Sequence, residues 1–348
     1  MSRRWLELGG PVALLALAGV VGSFVSNARA LEFESALVLA AMVMAIYVFV
    51  GNSGVLSFGQ IGFFVVGAYA AGELSVPADV KASVLPKVFS IIGDHSVGNA
   101  ASLVIAAAAG GIYAVLVGIP LMRLSGLAAG IATFAVLEIT QNIVSNWEKI
   151  GPGPLTLSTV PETTDLWQAT IGAIAVACAA FAYQLSPLGR KLRAAREDPF
   201  AAQAAGIDVH RQRLYAFALS GMLSGFAGGL YVHLQGTINV AEIYLDFTFL
   251  TLAMLVVGGI GSLWGAVVGA LLISGLDSFL TDAEQGAVSW LHPRAGTALV
   301  TVAAFMAAVL VFLPRGLTGG KEFAIPRAPR PGGRSGSAPP RTAAPRPE

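Results

Sequence analysis

The chain has 348 residues, 55% of them hydrophobic and only 12% charged, with a formal net charge of +1. Water-soluble domains carry about a quarter charged residues, so a soluble globular protein is excluded and a polytopic all-α membrane protein is expected. The single cysteine, Cys178 in "IGAIAVACAAFAYQL", excludes an internal disulfide framework and a cysteine-cluster metal site, and reads as a packing residue.

Apolar stretches of helix length predict spans near residues 10–27, 36–50, 58–76, 99–122, 126–145, 167–185, 213–234, 244–260, 262–280 and 295–313. The eighth and ninth are also compatible with one re-entrant pair. The N-terminal stretch has a basic start, an apolar core and an A-x-A ending, like a secretory signal. A retained first span is the expectation, because the remainder of the chain is itself polytopic; cleavage after Ala30 is the alternative. Arg3 and Arg4, the cluster Arg190, Lys191, Arg193, Arg196, Arg211 and Arg213, and Arg315 with Lys321 all fall on one side of a ten-span path. The positive-inside bias makes that side cytoplasmic, with both termini there. Trp147, Trp167 and Trp290 fall near span ends on the opposite side, where interfacial anchors belong. The transmembrane domain is expected to cover residues 1–320, and the Pro/Arg-rich tail over 321–348 to be disordered.

"GNSGVLSFGQIGFFVVGAYAAG", Gly51 to Gly72, interrupts an apolar region with glycines that weaken a helix or allow close backbone packing. Gly51-x-x-Gly54-x-Leu56 is echoed by Gly258-x-x-Gly261-x-Leu263, each after an apolar run. Paired Gly-interrupted segments point to broken or re-entrant helices flanking a pathway in a transporter; tight helix packing is the plainer reading. Glu138 stands inside a span, followed at helical spacing by Gln141 and Asn142, and should face protein or water rather than lipid; an interhelical hydrogen bond is the favoured role, the pathway the alternative. His233, at a span end, reads as interfacial. The pathway candidates are Gly51, Ser53, Gly54, Ser57, Gln60, Glu138, Gly258, Gly259 and Gly261.

The loop 186–213, "SPLGRKLRAAREDPFAAQAAGIDVHRQR", is the most informative polar stretch. Asp198 suits an N-cap, Pro199 the first helical position and Gly206 a left-handed end, which predicts a short helix over Pro199 to Ala205 with a flat alanine face fit for a groove on a partner. No nucleotide-binding P-loop occurs, nor H-E-x-x-H, nor G-x-S-x-G, and the four histidines are scattered. Chemistry on a substrate is not suggested: no catalytic residue and no metal ligand is assigned.

These segments resemble a known family, the inner-membrane permeases of branched-chain amino acid ABC importers, in particular the LivM-type subunit. The resemblance rests on the Gly51–Gly72 segment, "GIATFAVLEITQNIVSNW", "AAREDPFAAQAAGIDVHRQRLYAFALSGMLSGFAGGLY", "VVGGIGSLWGAVVGALL" and "PRGLTG", in that order from about residue 36 to 320. It implies a non-catalytic permease subunit in a bacterial inner membrane, forming half of a pathway for branched-chain or related amino acids. Its implied partners are a second, LivH-like permease, two ATP-binding subunits and a periplasmic or lipoprotein substrate-binding protein. No cofactor would be bound by this chain, since ATP is used by the partner subunits. Arg196, Glu197, Asp198, Pro199, Ala202 and Gly206 would form the ATPase-coupling element. "KIGPGPLTL", Lys149 to Leu157, departs from the family's Thr-Gly-Gly turn, which leaves urea or short-chain amides as alternative substrates. An autonomous secondary transporter would need carboxylates at midplane beyond Glu138, and a membrane enzyme would need a converging set of catalytic groups; the sequence offers neither.

Overall fold

A computed structural model describes residues 2–89, 93, 95–124, 126–286, 294 and 296–322. Trp290 and the tail beyond Glu322 lie outside the described residues. Thirteen helices occur among those described: α1 (Ser2–Ser23), α2 (Asn27–Ser53), α3 (Gln60–Ser75), α4 (Ala78–Val84), α5 (Asn99–Leu121), α6 (Gly126–Asn146), α7 (Leu166–Leu185), α8 (Pro187–Glu197), α9 (Pro199–Ala204), α10 (Val209–Gln235), α11 (Leu245–Gly258), α12 (Leu263–Glu284) and α13 (Thr297–Phe312). There is no strand among these residues, only an isolated antiparallel bridge between Leu157 and Ile238.

Each of the ten apolar stretches contains a helix among the described residues. Six helices, α2, α5, α6, α7, α10 and α12, have cores long and apolar enough to cross a membrane, while α1, α11 and α13 contain shorter apolar helices. Helix α3 has 16 residues and is also short for a span. The α2–α3 and α11–α12 connections are brief breaks in which helix direction changes, and α12 is a full-length helix of 22 residues.

From Ala36 to Val50 helix α2 is apolar all round, and it is buried at every position from Ala40 to Ser53, as such a stretch must be. It lies at the centre with α3 and α10, and α5, α7 and α12 pack around them. With little hydrophobic gain from packing inside lipid, close backbone approach has to supply dispersion energy, and small residues permit it. Here Gly67 of α3 abuts Gly225 of α10, while Gly110 of α5 abuts Gly221 and Gly225. Outward-facing apolar side chains such as Ile112 and Leu116 on α5 and Leu299, Val300 and Val311 on α13 remain exposed. A patch of that extent suits contact with hydrocarbon. Cys178 is among these outward residues, exposed on α7, so it does not pack inside the chain as the sequence suggested.

Contacts fix which helix ends lie together. The end carrying α8 and α9 also gathers the α2 C-terminus and the α12 N-terminus: Arg196 reaches Gly51, and Glu322 reaches Leu263. At the far end, the segment between α6 and α7 crosses the bundle. It is held by Leu157 to Ile238, by Val160 N–H to the Gly236 carbonyl and by Thr163 N–H to the His233 carbonyl. His233 is buried rather than interfacial: its Nε2 lies 2.7 Å from Ser102 Oγ and its Nδ1 lies 3.0 Å from the Pro161 carbonyl. Buried polar groups need such partners, and here they tie the crossing segment to α5 and α10. Trp147 and Trp167 are half-exposed at this far end, where α6 stops and α7 starts.

Candidate functional site

Two glycine-broken connections meet at the α8–α9 end. Helix α2 stops because Gly54 adopts φ 71°, a left-handed conformation that glycine takes without a Cβ clash, while its N–H still bonds the Val50 carbonyl. Val55 to Gly59 then runs without helix. Ser53 Oγ accepts from Val55 N–H at 3.1 Å, and Ser57 Oγ from Gly59 N–H at 3.4 Å. Both serines are buried, as is Gln60, the first residue of α3, whose side-chain amide has no partner among the described residues. Phe58 donates its N–H to Thr133 Oγ1 at 3.2 Å and stacks edge-on against Phe134 of α6 and Phe249 of α11.

The second break, between α11 and α12, packs directly on the first. A Cβ on Gly51 would fall 2.8 Å from the Ile260 carbonyl oxygen. Gly258 faces Gly265 and Gly269 across the α11–α12 contact so closely that a methyl would overlap the Gly265 carbonyl. Gly259 and Gly261 lie against the segment after α13, near Thr318 and Gly320 respectively. That segment pairs with the end of α11: Leu317 N–H reaches the Val257 carbonyl, and Thr318 N–H and Oγ1–H reach that of Gly258. Glu322 follows. Its carboxylate accepts from the Leu263 and Trp264 N–H groups at the start of α12 and from Gln184 Nε2 at 2.8 Å, with the Tyr47 hydroxyl 3.4 Å away. An anion at a helix N-terminus satisfies otherwise unpaired N–H groups. Sequence reasoning missed Glu322, Gln184 and Tyr47, because nothing local marks residues whose partners lie far along the chain.

The loop after α7 is a compact helical unit. Ser186 caps α8 and Pro187 opens it, burying Gly189, Leu192 and Ala195. Asp198 ends α8 and caps α9, accepting from Phe200 N–H at 2.9 Å and Ala201 N–H at 3.0 Å. At the other end Gly206 has φ 78°, its N–H bonds the Gln203 carbonyl, and Ile207 N–H bonds that of Ala202, a paired closure of the Schellman type. Pro199 opens this short helix as expected, and Glu197, Asp198 and Pro199 are exposed at its entry. The expected alanine docking face is corrected in one respect. Ala202 is 6% exposed and packs with Ala195, Val209 and Ile207, so it holds the unit together, and the outward residue is Phe200, 82% exposed. An exposed phenylalanine two residues after an N-cap was a visible sequence signal that went unread.

Arg196, on the last turn of α8, joins this unit to the breaks. Its Nη1 donates to the Gly51 carbonyl at 2.6 Å, and its aliphatic stem fills the space beside Gly54, where a Cβ would come within 2.9 Å of Arg196 Cγ. Arg193 Nη2 donates to the Gln184 carbonyl, also at 2.6 Å.

Glu138 is not gathered with the glycines. It lies on the exposed face of α6, where Glu138, Asn142 and Asn146 form a polar stripe at helical spacing beside a shallow groove of about 470 Å³ completed by Ile139, Ile143 and Trp147. The carboxylate accepts from the Tyr244 hydroxyl and from Asn142 Nδ2 at 3.1 Å. Such a stripe on a membrane helix is costly against lipid and calls for a polar neighbour or water. Among the described residues no group of three or more metal-ligating side chains converges.

Helices of spanning length, apolar outer faces and a capped helical loop at one end define a multi-pass α-helical membrane protein. The chain belongs to the branched-chain amino acid transport system / permease component family, whose model matches residues 33–314. It is 26% identical over 297 residues to the high-affinity branched-chain amino acid transport system permease protein LivM of Escherichia coli (75% of this chain and 66% of that protein). It is also 28% identical to the guanosine ABC transporter permease protein NupQ of Bacillus subtilis (61% and 69%), and 33% identical over 132 residues to the probable branched-chain amino acid transport permease protein LivH of Methanocaldococcus jannaschii (38% and 40%). The matches thus span 66% of the E. coli LivM and 58% of its Salmonella typhimurium counterpart. No solved structure matches the chain.

Proposed function

We propose that the chain is a non-catalytic permease subunit of a bacterial ABC importer, crossing the inner membrane ten times with both termini and the α8–α9 unit in the cytoplasm. The alternation of helix ends and the arginines of α8 support that path. In this reading α1, α3, α11 and α13 complete the set of spans, and the two glycine breaks sit at the cytoplasmic mouth. The observation that carries the proposal is the capped α9 unit, which presents Phe200 outward while Arg196 grips Gly51 beside the second break. A partner ATPase that binds Phe200 can therefore pull on both broken helices through one residue. A second, LivH-like permease would cover the α6 face, so that Glu138, Asn142 and Asn146 line a shared pathway and the Glu138 carboxylate meets the ammonium of a zwitterion. Two ATP-binding subunits and a substrate-binding protein complete the assembly, with ATP held by the former and no cofactor by this chain.

Branched-chain or related amino acids are the proposed substrates. The likeness to NupQ keeps a nucleoside in view, and urea and short-chain amides remain the further alternatives. The test is ATP-dependent uptake of labelled leucine, urea and guanosine into vesicles holding the chain with its candidate partners. Leucine uptake that disappears without the ATPases, and in Phe200→Glu, is the expected result. Uptake independent of the ATPases would replace the importer by an autonomous transporter.

A further inference from the structure

Helices α1, α2 and α12 enclose a groove of about 460 Å³ on the outer face of the bundle, away from both glycine breaks and from α6. Its walls are apolar, with Leu14, Leu17 and Val21 on α1, Phe33 on α2, and Leu271 and Phe279 on α12. Charge is confined to one end, where Arg29 and Glu32 at the start of α2 meet Asp282 near the end of α12, with Ser278 beside the Glu32 carboxylate. From Asp282 down to Leu271 the α12 wall extends about 16 Å along the axis.

We infer that this groove binds a phospholipid with a primary-amine headgroup, of the phosphatidylethanolamine type. The shape fits one acyl chain lying along the wall with its headgroup at the rim. The charges select the headgroup. One arginine matches one phosphate, and the two carboxylates match an ammonium that can donate hydrogen bonds to both. An anionic phosphatidylglycerol headgroup would bring the phosphate without the ammonium and leave an excess of negative charge beside the two carboxylates. A choline headgroup has the charge but no N–H to donate. The assignment rests on the membrane placement of the chain alone and is independent of what the protein transports.

The experiment is native mass spectrometry of the full chain, alone and in complex with its partner permease, extracted from vesicles of equal phosphatidylethanolamine, phosphatidylcholine and phosphatidylglycerol. The ethanolamine lipid is expected to be retained over the choline lipid by roughly tenfold, the effect of one charge-assisted hydrogen bond. Glu32→Gln combined with Asp282→Asn should abolish that preference. Gly275→Leu supplies a control that does not depend on charge: Gly275 lines the groove, a Cβ there meets nothing within 4 Å, and the leucine fills the groove without disturbing the backbone. That variant should lose the lipid while its unfolding in lipid-free detergent is unchanged. Equal retention of the three lipids, retention unaffected in Gly275→Leu, or loss of the lipid when the partner permease binds, which would make the groove a subunit interface, would each overturn the proposal.

Discussion

On α9 the side chain of Ala202 points back against Ala195, Val209 and Ile207, while Phe200 is 82% exposed. Substitutions at these two positions should therefore fail differently. Ala202→Glu forces a longer, charged side chain into a packed site and should destabilise the α8–α9 unit by about 1–3 kcal/mol, read as faster proteolysis within residues 186–208. Phe200→Ala removes little buried surface, so proteolysis and melting should change little while affinity for the proposed ATPase partner falls. Gly206→Val tests the helix end by itself. No atom lies within 4 Å of a Cβ there, so any cost comes from φ 78° alone, on the order of 1–3 kcal/mol, and Gly206→Ala should cost less than Gly206→Val. The cap chemistry of Asp198, Pro199 and Gly206 was legible in the sequence because each acts on backbone within a few residues. The inward turn of Ala202 was not, because α8 and α10 decide it, and both alanine-rich faces of α9 read alike.

At the scale of the helix, apolar length located the helices, six of them long enough to span, and glycines stand at the ends of α2 and α11. What the sequence left open was which glycines interrupt and which merely permit contact. Gly54 interrupts, through its backbone conformation. Gly258 ends α11 and also lets it lie against α12, where Gly265 and Gly269 supply the facing surface. A Cβ at Gly258 meets backbone, which cannot move aside as a flexible side chain can. Gly258→Ala should therefore separate the two helices at a cost of about 1–3 kcal/mol, visible as a lower unfolding temperature in detergent. Gly130→Ala on α6 is the matched control, since its nearest neighbour atoms are 3.9 Å away, and it should be neutral or slightly stabilising through helix propensity. Equal destabilisation by both would mean that helix packing does not explain the Gly258 position. The exposure of Cys178 was not legible, and the burial of His233 was not either, because its partners Ser102 and Pro161 lie far along the chain. An alanine-rich apolar helix such as α7 has little periodic contrast, so its sequence does not say which side meets lipid.

For the whole molecule, the informative feature is where the side-chain hydrogen bonds at the α8–α9 end lead. Arg196 supplies one to Gly51, Arg193 another to the end of α7, and Glu322 ties the segment after α13 to α12 and α7. The first reaches the junction where both breaks touch, because Gly51 abuts Ile260, and it acts beside the packing of α8 against α2 and α10. In the proposed assembly, a displacement of α8 and α9 by a bound ATPase would move α2 and the α11–α12 connection together, with Arg196 as the side-chain link between them. Arg196→Ala removes the charge-assisted bond and the stem that fills the notch at Gly54, but exposes no buried charge and leaves Phe200 in place. The complex should assemble with normal ATPase affinity and hydrolyse ATP, while substrate moved per ATP falls by roughly ten- to a hundredfold, corresponding to the loss of about 1.5–3 kcal/mol of coupling. Arg196→Lys should recover little, since a lysine ammonium lacks the planar fork and matches neither the reach to the carbonyl nor the packing at Gly54. Paired assays of ATP hydrolysis and uptake on the same vesicles measure this ratio directly. A parallel fall in both activities would mean that Arg196 holds the docking surface in shape and that the displacement reaches the breaks by another route.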